Sequence, residues 1–425
     1  MDDDGFRTSL WRATAPPAPP TGALEGEQRM DVAVIGAGYT GLSCALALAQ
    51  GGARVAVLEA GEIGQGASGR NNGQVIPTLS RVDPEELAAR TGDGFVQLVC
   101  DSAQATFELI RRHGMQCEAV QNGWVQPAHT PGRMRLAEAR AAAWGRLGAP
   151  VELLDRAGVE RVTGSAFWHG GWQNASGGKL NALAYCRELA RTAIGCGARV
   201  LTQSAAQSIE RAGTLWRVAT ARGGVRAERV VIATQAYSGA LWPGLARSVF
   251  PVTSYQMATA PLPVAARKSV LPFDHACSDT HGDLHFFRWD AAGRLVTGGA
   301  LVLPWNWRAR LARRIGERVA RVFPQLGVPR FEFQWHGRLG ITLDRLPHVH
   351  ELAPGVLAWL GCNGRGLALA TAIGGELARA CLGTPLASLP LPFTPLRPVF
   401  GHALATGKET LALLYYRYRD AREMA

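Results

Sequence analysis

Lysine is scarce in this chain. Only three of the 45 basic residues are lysines (Lys179, Lys268, Lys408), and the arginines are spread along all 425 residues. The net charge of +11 is therefore not gathered into the clustered face that nucleic-acid binding uses, and no nucleic-acid partner is expected. Long apolar runs are also missing. No stretch of about 18 uninterrupted apolar residues occurs, and the most apolar late stretch, 356–382, is broken by Asn363, Arg365, Glu376 and Arg379. No integral membrane span is expected. The eight cysteines (44, 100, 117, 186, 196, 277, 362 and 381) form no C-x-x-C and no Cys/His cluster at zinc spacing. They read as reduced thiols, and a structural metal has no support. The opening residues, Met-Asp-Asp-Asp-Gly-Phe-Arg, lack the charged-then-apolar order of a secretory signal. The expected location is cytoplasmic.

A chain of this length that is 47% apolar supports a large core and more than one domain. The densest basic patch is 307–323, with six arginines among which Leu311, Ile315, Val319 and Val322 recur at helical spacing. It reads as an amphipathic helix with a solvated basic face. A docking face for a membrane surface or an acidic electron acceptor is the sharper alternative.

Asp31 to Glu59 carries the strongest signal. An apolar strand (Val32 to Ile35) runs into Gly36-Ala-Gly38-Tyr-Thr-Gly41, then a helical stretch, then a second apolar strand ending in Glu59. This is the dinucleotide fingerprint in its full strand–turn–helix context. Gly36 permits the sharp turn, Gly38 leaves room for a pyrophosphate, and Gly41 lets helix and strand approach. The helix N-terminus offers unpaired N–H groups to the phosphates. Glu59 is placed to take a ribose 2′-OH and would repel a 2′-phosphate. An adenine dinucleotide cofactor follows, with FAD and NAD both open at this point.

Residues 1–30 hold Pro16, Pro17, Pro19 and Pro20 and read as an extended arm wrapped on the surface or a disordered leader. Residues 60–76 read as a loop, and 84–147 as mostly helical with a turn at Pro131-Gly132. A helix is expected over 179–195. Strands are expected at 199–201, 215–220 and 228–233, forming a small antiparallel turn of sheet that leads to a buried strand. A hairpin is expected between 285–289 and 295–299, a buried strand within 355–361, and a helix over 367–382.

Four segments taken together decide the cofactor. They are Asp31–Glu59, Gly66-Ala-Ser-Gly-Arg-Asn-Asn-Gly-Gln74, Val230-Val-Ile-Ala-Thr-Gln-Ala-Tyr237, and Gly361-Cys-Asn-Gly-Arg-Gly-Leu-Ala-Leu-Ala370 with its helix. Their order and spacing resemble the glycine/D-amino-acid oxidase (DAO) superfamily of flavoproteins. Ser9-Leu-Trp, Ala67–Gln74 and Asn363–Gly366 look most like its gamma-glutamylputrescine oxidoreductase branch. The resemblance implies an α/β fold: a Rossmann-like, glutathione-reductase-type FAD domain joined to an α+β substrate domain built on an antiparallel sheet. The implied boundaries are an arm (1–30), a discontinuous FAD domain (31–85, 150–246, 345–390), a substrate domain (86–149, 247–344) and a C-terminal arm or helix (391–425). It also implies cofactor contacts: Gly36, Ala37, Gly38 and Gly41 at the pyrophosphate turn, and Glu59 with Ala60 at the ribose. Ser68, Arg70, Asn72, Gly73 and Gln74 would lie beside the pyrophosphate and flavin, and Ala206 at the adenine. Ala233, Gly361, Asn363, Gly364, Arg365, Gly366 and Leu367 would lie towards the flavin. A helix N-terminus after a glycine turn suits the negative charge that reduced flavin gathers at its pyrimidine edge. Relatives that attach flavin covalently use a Cys or His, and the corresponding positions here (Gly337 and 70–73) have neither, so FAD is expected to be non-covalent.

The family's chemistry implies oxidation of an amine or amino-acid C–N bond. The amine binds neutral, hydride passes from the α-carbon to flavin N5, and the imine is hydrolysed. No single catalytic residue is required. A hydroxy-acid dehydrogenase and a non-catalytic flavin subunit are the alternatives. His285, Phe287, His336 and Arg338 are the candidate substrate contacts. His285, Phe287 and Trp289 would share one strand face, with Phe286 and Arg288 on the other. The paired His348 and His350 read as surface or core residues and not as metal ligands. The oxygen-activating lysine of sarcosine oxidase relatives has no counterpart in 251–260 or 335–344. The electron acceptor is accordingly oxygen, a quinone or a protein.

Overall fold

The computed structural model describes residues 4–283 and 285–424. Residues 1–3 of the expected arm, Leu284 in the expected substrate domain, and Ala425 lie outside the described residues. At the centre is a six-stranded sheet in the order His348–Ala353, Val356–Leu360, Arg229–Ile232, Val32–Ile35, Val55–Leu58, Arg199–Leu201. All neighbours pair in parallel except the edge strand His348–Ala353. Val-Ala-Val-Ile and Val-Ala-Val-Leu are buried on both faces, as a parallel sheet covered on two sides demands. One face (Val32, Val34, Val55, Val57) packs on the helices Tyr39–Gln50, Ala182–Gly195 and Leu367–Cys381. The other (Ala33, Ile35, Ala56, Leu58) packs under a four-stranded sheet carrying Trp216, Val218 and Val225.

The second sheet has eight strands in the order Phe331–Ile341, Phe250–Thr259, Leu295–Gly299, Phe286–Trp289, Ala276–Ser278, Trp124–Pro127, Gly171–Asn174, Val151–Leu154. Its pairings are antiparallel except where Ala276–Ser278 meets Trp124–Pro127. The helix Trp307–Val322 covers its outer face through Leu311, Ile315 and Val319.

Four expectations change. Residues 150–174, assigned to the cofactor domain, instead supply the last two strands of the eight-stranded sheet, Gly171–Asn174 and the edge strand Val151–Leu154. Strand Arg199–Leu201 joins the six-stranded parallel sheet, while Leu215–Thr220 belongs to the four-stranded one. Arg199–Leu201 is thus a continuation of the nucleotide fold and not the start of a hairpin. The arm is no loose leader. Phe6, Leu10 and Trp11 are buried against Leu183, Val296 and Trp335, because their apolar area needs a core that the prolines after them do not reach. The basic helix is only partly solvated. Arg308, Arg313 and Arg321 are exposed, but Arg318 is buried and donates to the carbonyl of Gly298.

Candidate functional site

All four segments meet along one cleft, which the six-stranded sheet shares with the Phe250–Thr259 and Phe331–Ile341 edge of the second sheet. The strand ends Ile35 and Ala233 sit side by side, since Val32–Ile35 and Val356–Leu360 both flank Arg229–Ile232.

The first turn is built on Gly36, whose φ of 105° suits glycine alone. A Cβ on Gly41 would stand 1.9 Å from the Gly36 carbonyl oxygen, so helix and strand touch only because that atom is missing. Helix Tyr39–Gln50 has no side-chain cap from Gly38, and beyond the Tyr39 N–H its first-turn N–H groups are open to an anion. Glu59, at the end of the next strand, accepts from the Ala37 N–H (2.8 Å) and the Gly61 N–H (2.9 Å). Burial raises its pKa above the ordinary carboxylate value, against the pull of these backbone donors.

The second segment folds back onto the first. Ser68 Oγ accepts the Tyr39 N–H (3.2 Å), and Asn72 Oδ1 accepts the Gln74 N–H (2.9 Å). Arg70 Nε donates to the Gln65 carbonyl at 2.7 Å, with its guanidinium over the Phe6 ring. Two indoles hold this loop, one from the arm and one from strand Phe331–Ile341: Trp11 Nε1 donates to the Asn71 carbonyl (2.6 Å) and Trp335 Nε1 to the Arg70 carbonyl (2.7 Å). The third and fourth segments are joined by Gln235, whose Oε1 accepts the Gly361 N–H at 3.1 Å. Gly364, Arg365, Gly366 and Leu367 line the cleft where helix Leu367–Cys381 begins without a side-chain cap. Arg365 donates to Thr78 Oγ1 and to the Leu79 carbonyl (2.8 Å), and burial pulls its pKa down to about 9.

Of the cofactor contacts expected, Gly36, Ala37, Gly38, Glu59, Ala60, Ser68, Arg70, Asn72, Gln74, Ala206, Ala233, Gly364, Arg365, Gly366 and Leu367 line the cleft. Gly41, Gly73, Gly361 and Asn363 stand behind it. Asn363 Oδ1 accepts the Thr342 N–H (3.0 Å), tying the fourth turn to the second sheet. Gly73 (φ 73°) lies against the Leu180 carbonyl.

Of the substrate candidates, Arg338 lines the cleft but His285, Phe287 and His336 do not. Phe287 is fully buried against Trp168 and Phe323, and His285 stacks on His281 at 3.8 Å. His336 packs between Tyr255 (5.8 Å) and Trp307 (5.5 Å). The cause is common. The apolar stripe of helix Trp307–Val322 needs a partner, and Phe287, Trp289, Tyr255 and Met257 supply it. The opposite faces of these strands therefore turn inward: Arg288 lies over Trp11, and Ser254 and Gln256 line the cleft. His348 and His350 bind Thr394, at Oγ1 (3.0 Å) and at the carbonyl (2.7 Å).

Sequence reasoning missed Gln235, Tyr237, Ser254, Gln256 and Cys362, all on the cleft wall. Ser254 and Gln256 did carry a signal, as polar residues two apart that alternate with Tyr255 and Met257. Burial raises the pKa of Cys362, and its Sγ donates to the Gly340 carbonyl. It is a protonated thiol and not a nucleophile. Among the described residues no lysine lines the cleft. Lys179 is buried on Asp274 and the Trp289 carbonyl, and burial pulls its pKa down to about 8.

Three buried amides on the wall have one polar atom unpartnered among the described residues: Gln74 Oε1, Gln235 Nε2 and Gln256 Oε1. Each costs about 1–3 kcal/mol if left so. A ligand that both donates and accepts along one edge, as the pyrimidine ring of a flavin does, matches Gln74 Oε1 and Gln235 Nε2, and Gln256 Oε1 is left for a second ligand. The two open helix N-termini match the pyrophosphate and the reduced ring of FAD.

The comparisons agree with this geometry. Residues 31–380 match the DAO model, described as FAD dependent oxidoreductase. The chain is 30% identical over 421 residues to gamma-glutamylputrescine oxidoreductase of Escherichia coli (strain K12), covering 97% of this chain and 98% of the relative. It is 30% identical over 423 residues to the probable oxidoreductase OrdL of Rhizobium meliloti (strain 1021), covering 97% of each. In fold it is similar to glycine oxidase from Geobacillus kaustophilus (TM-score 0.72, 24% identity, 88% of this chain and 100% of that one). It is likewise similar to an L-amino acid deaminase from Proteus vulgaris (TM-score 0.73, 21% identity, 93% and 100%).

Proposed function

The chain belongs to the DAO family of FAD dependent oxidoreductases, and on that premise we propose that it oxidises the C–N bond of an amine bearing a carboxylate, giving an imine that water hydrolyses. FAD, when bound, would supply the acceptor for the hydride, and with it both electrons, leaving the carbon beside nitrogen. The observation that carries the substrate class is the charge of the cleft. Arg338 is exposed on its wall and makes no ion pair among the described residues. Glu59 is the one carboxylate among the described lining residues, and it is engaged by two backbone N–H groups.

This distribution supports two roles. Arg338 holds the substrate carboxylate through a charge-assisted contact. The cationic wall, with no carboxylate beside Ser254 and Gln256 among the described lining residues, disfavours an ammonium and favours the neutral amine. Gln256, whose Nε2 donates to Ser254 Oγ at 2.9 Å, keeps Oε1 for the amine N–H. These contacts orient the α-carbon, and no general base is needed if the amine arrives deprotonated. The relatives favour the same class, since glycine and gamma-glutamylputrescine both pair an amine with a carboxylate.

Arg338→Gln tests this. One charge-assisted hydrogen bond is worth about 1.5–3 kcal/mol, so KM for amino-acid substrates is expected to rise about 10- to 150-fold. Uncharged amines are expected to change little, and the flavin spectrum not at all. Equal changes for charged and uncharged amines in steady-state turnover would remove the carboxylate role.

A further inference from the structure

A second cavity opens between the basic helix Trp307–Val322 and the C-terminal helix His402–Met424, away from the flavin cleft. Asp283 lies at its centre with a nearly buried side chain. Three guanidiniums converge on one oxygen of that carboxylate, Oδ2: Arg314, Arg318 (3.5 Å) and Arg417 (3.0 Å). Arg321 lines the same cavity and makes no ion pair among the described residues. Two other carboxylates face it. Asp420 is already taken by the Gly282 N–H and by Arg419, and Glu317 is exposed at the rim. Positive charge is therefore in surplus.

The sharing of one oxygen matters. A guanidinium offers five N–H groups in a fork that suits two acceptor oxygens. Arg314 and Arg417 spend one group each on the Ala300 carbonyl, and Arg318 one on that of Gly298. The side chains of Arg314 and Arg417 are 31% and 28% exposed and line the cavity with the Arg321 guanidinium, which leaves N–H groups open to an acceptor that reaches in. Beside them, His281 and His285 bring Nδ1 to 2.8 and 3.4 Å from Asp279 Oδ2. Those three atoms are close enough together to hold a metal ion. The guanidiniums lining the same cavity oppose a dication there and favour an anion. A monatomic anion would meet one N–H from each arginine, whereas an oxyanion matches their forks.

We propose that this cavity binds a small oxyanion, a phosphate or a carboxylate, clamped between the two helices by Arg314, Arg318, Arg321 and Arg417. The bound anion fastens the C-terminal helix to the substrate sheet, and this site is separate from the oxidation site.

The test is calorimetric titration of the flavin-loaded protein with inorganic phosphate and, separately, with succinate, at ionic strength matched with sodium chloride. Saturable binding of one of them, one per chain, is expected. Arg321→Gln and Arg417→Gln are each expected to weaken it about tenfold or more. Arg321 is exposed and bonds to no other described side chain, so its variant keeps the fold. Arg222→Gln, at a surface pair with Glu25, is expected to leave binding unchanged. The ligand that saturates identifies the oxyanion. Absence of saturable binding by either, or equal weakening by Arg222→Gln, would overturn the site.

Discussion

Gly38→Val protein is expected to purify colourless. Gly38 is the residue from which helix Tyr39–Gln50 starts, with extended backbone, and it lies on the cleft wall where the first two segments meet. Even a single Cβ there would stand 2.8 Å from Ser68 Oγ, the oxygen that accepts the Tyr39 N–H. Valine adds two methyl groups beyond that. They would fill the space in front of the first-turn N–H groups, which hold a pyrophosphate only at hydrogen-bond distance. Losing even one charge-assisted contact of about 1.5–3 kcal/mol lowers affinity tenfold or more, and the displaced loop carries several. The ratio of visible to ultraviolet absorbance reads occupancy directly, and circular dichroism reports whether the fold persists. Gly38→Ala should fall between the two. A folded Gly38→Val protein with full flavin would mean that the pyrophosphate lies elsewhere.

Trp335→Ala is expected to cost about 3–5 kcal/mol of stability, lowering Tm by about 3–6 °C. The indole is fully buried, edge-on to Trp11 with ring centroids 5.9 Å apart. Its Nε1 donates to the Arg70 carbonyl, while Trp11 donates to the next one along, that of Asn71. Two indoles far apart in the chain thus hold consecutive carbonyls of the loop beside the flavin. Alanine leaves both a void and an unpaired buried carbonyl. Flavin fluorescence during heating should report release at a lower temperature than in the parent. Trp305→Ala is the control, because that side chain is 77% exposed and its loss should shift Tm by no more than about 1 °C. If Trp335→Ala melts with the parent, the clamp is not a clamp.

The nucleotide half of the fold was legible because its signals are local. Val32–Ile35 and Val55–Leu58 are apolar on both faces, and the glycine turn between them does its chemistry with backbone. The turn at Gly361–Gly366 was legible for the same reason. What depended on distant partners was not. Val151–Leu154 reads as a strand of no particular sheet until Gly171–Asn174 and Trp124–Pro127 are alongside it. Phe6 and Trp11 were obscured by the prolines that follow them, since nothing nearby shows that their core lies at Trp335. The strand face chosen for His285 and Phe287 was the wrong one for the cleft. Alternation shows that two faces exist, but only the position of helix Trp307–Val322 decides which is covered. Gln235 stood inside a segment read from the sequence. Its role appears only when Gly361, 126 residues later, comes within 3.1 Å.

The most direct test of the central claim is anaerobic titration of the flavin-loaded protein with a panel of N-substituted amino acids, putrescine derivatives, D-amino acids and 2-hydroxy acids, followed by the yellow absorbance. The cleft described here predicts stoichiometric bleaching by at least one carboxylate-bearing amine and none by the hydroxy acids. Bleaching by hydroxy acids alone, or by dithionite while every amine leaves the colour intact, would contradict it.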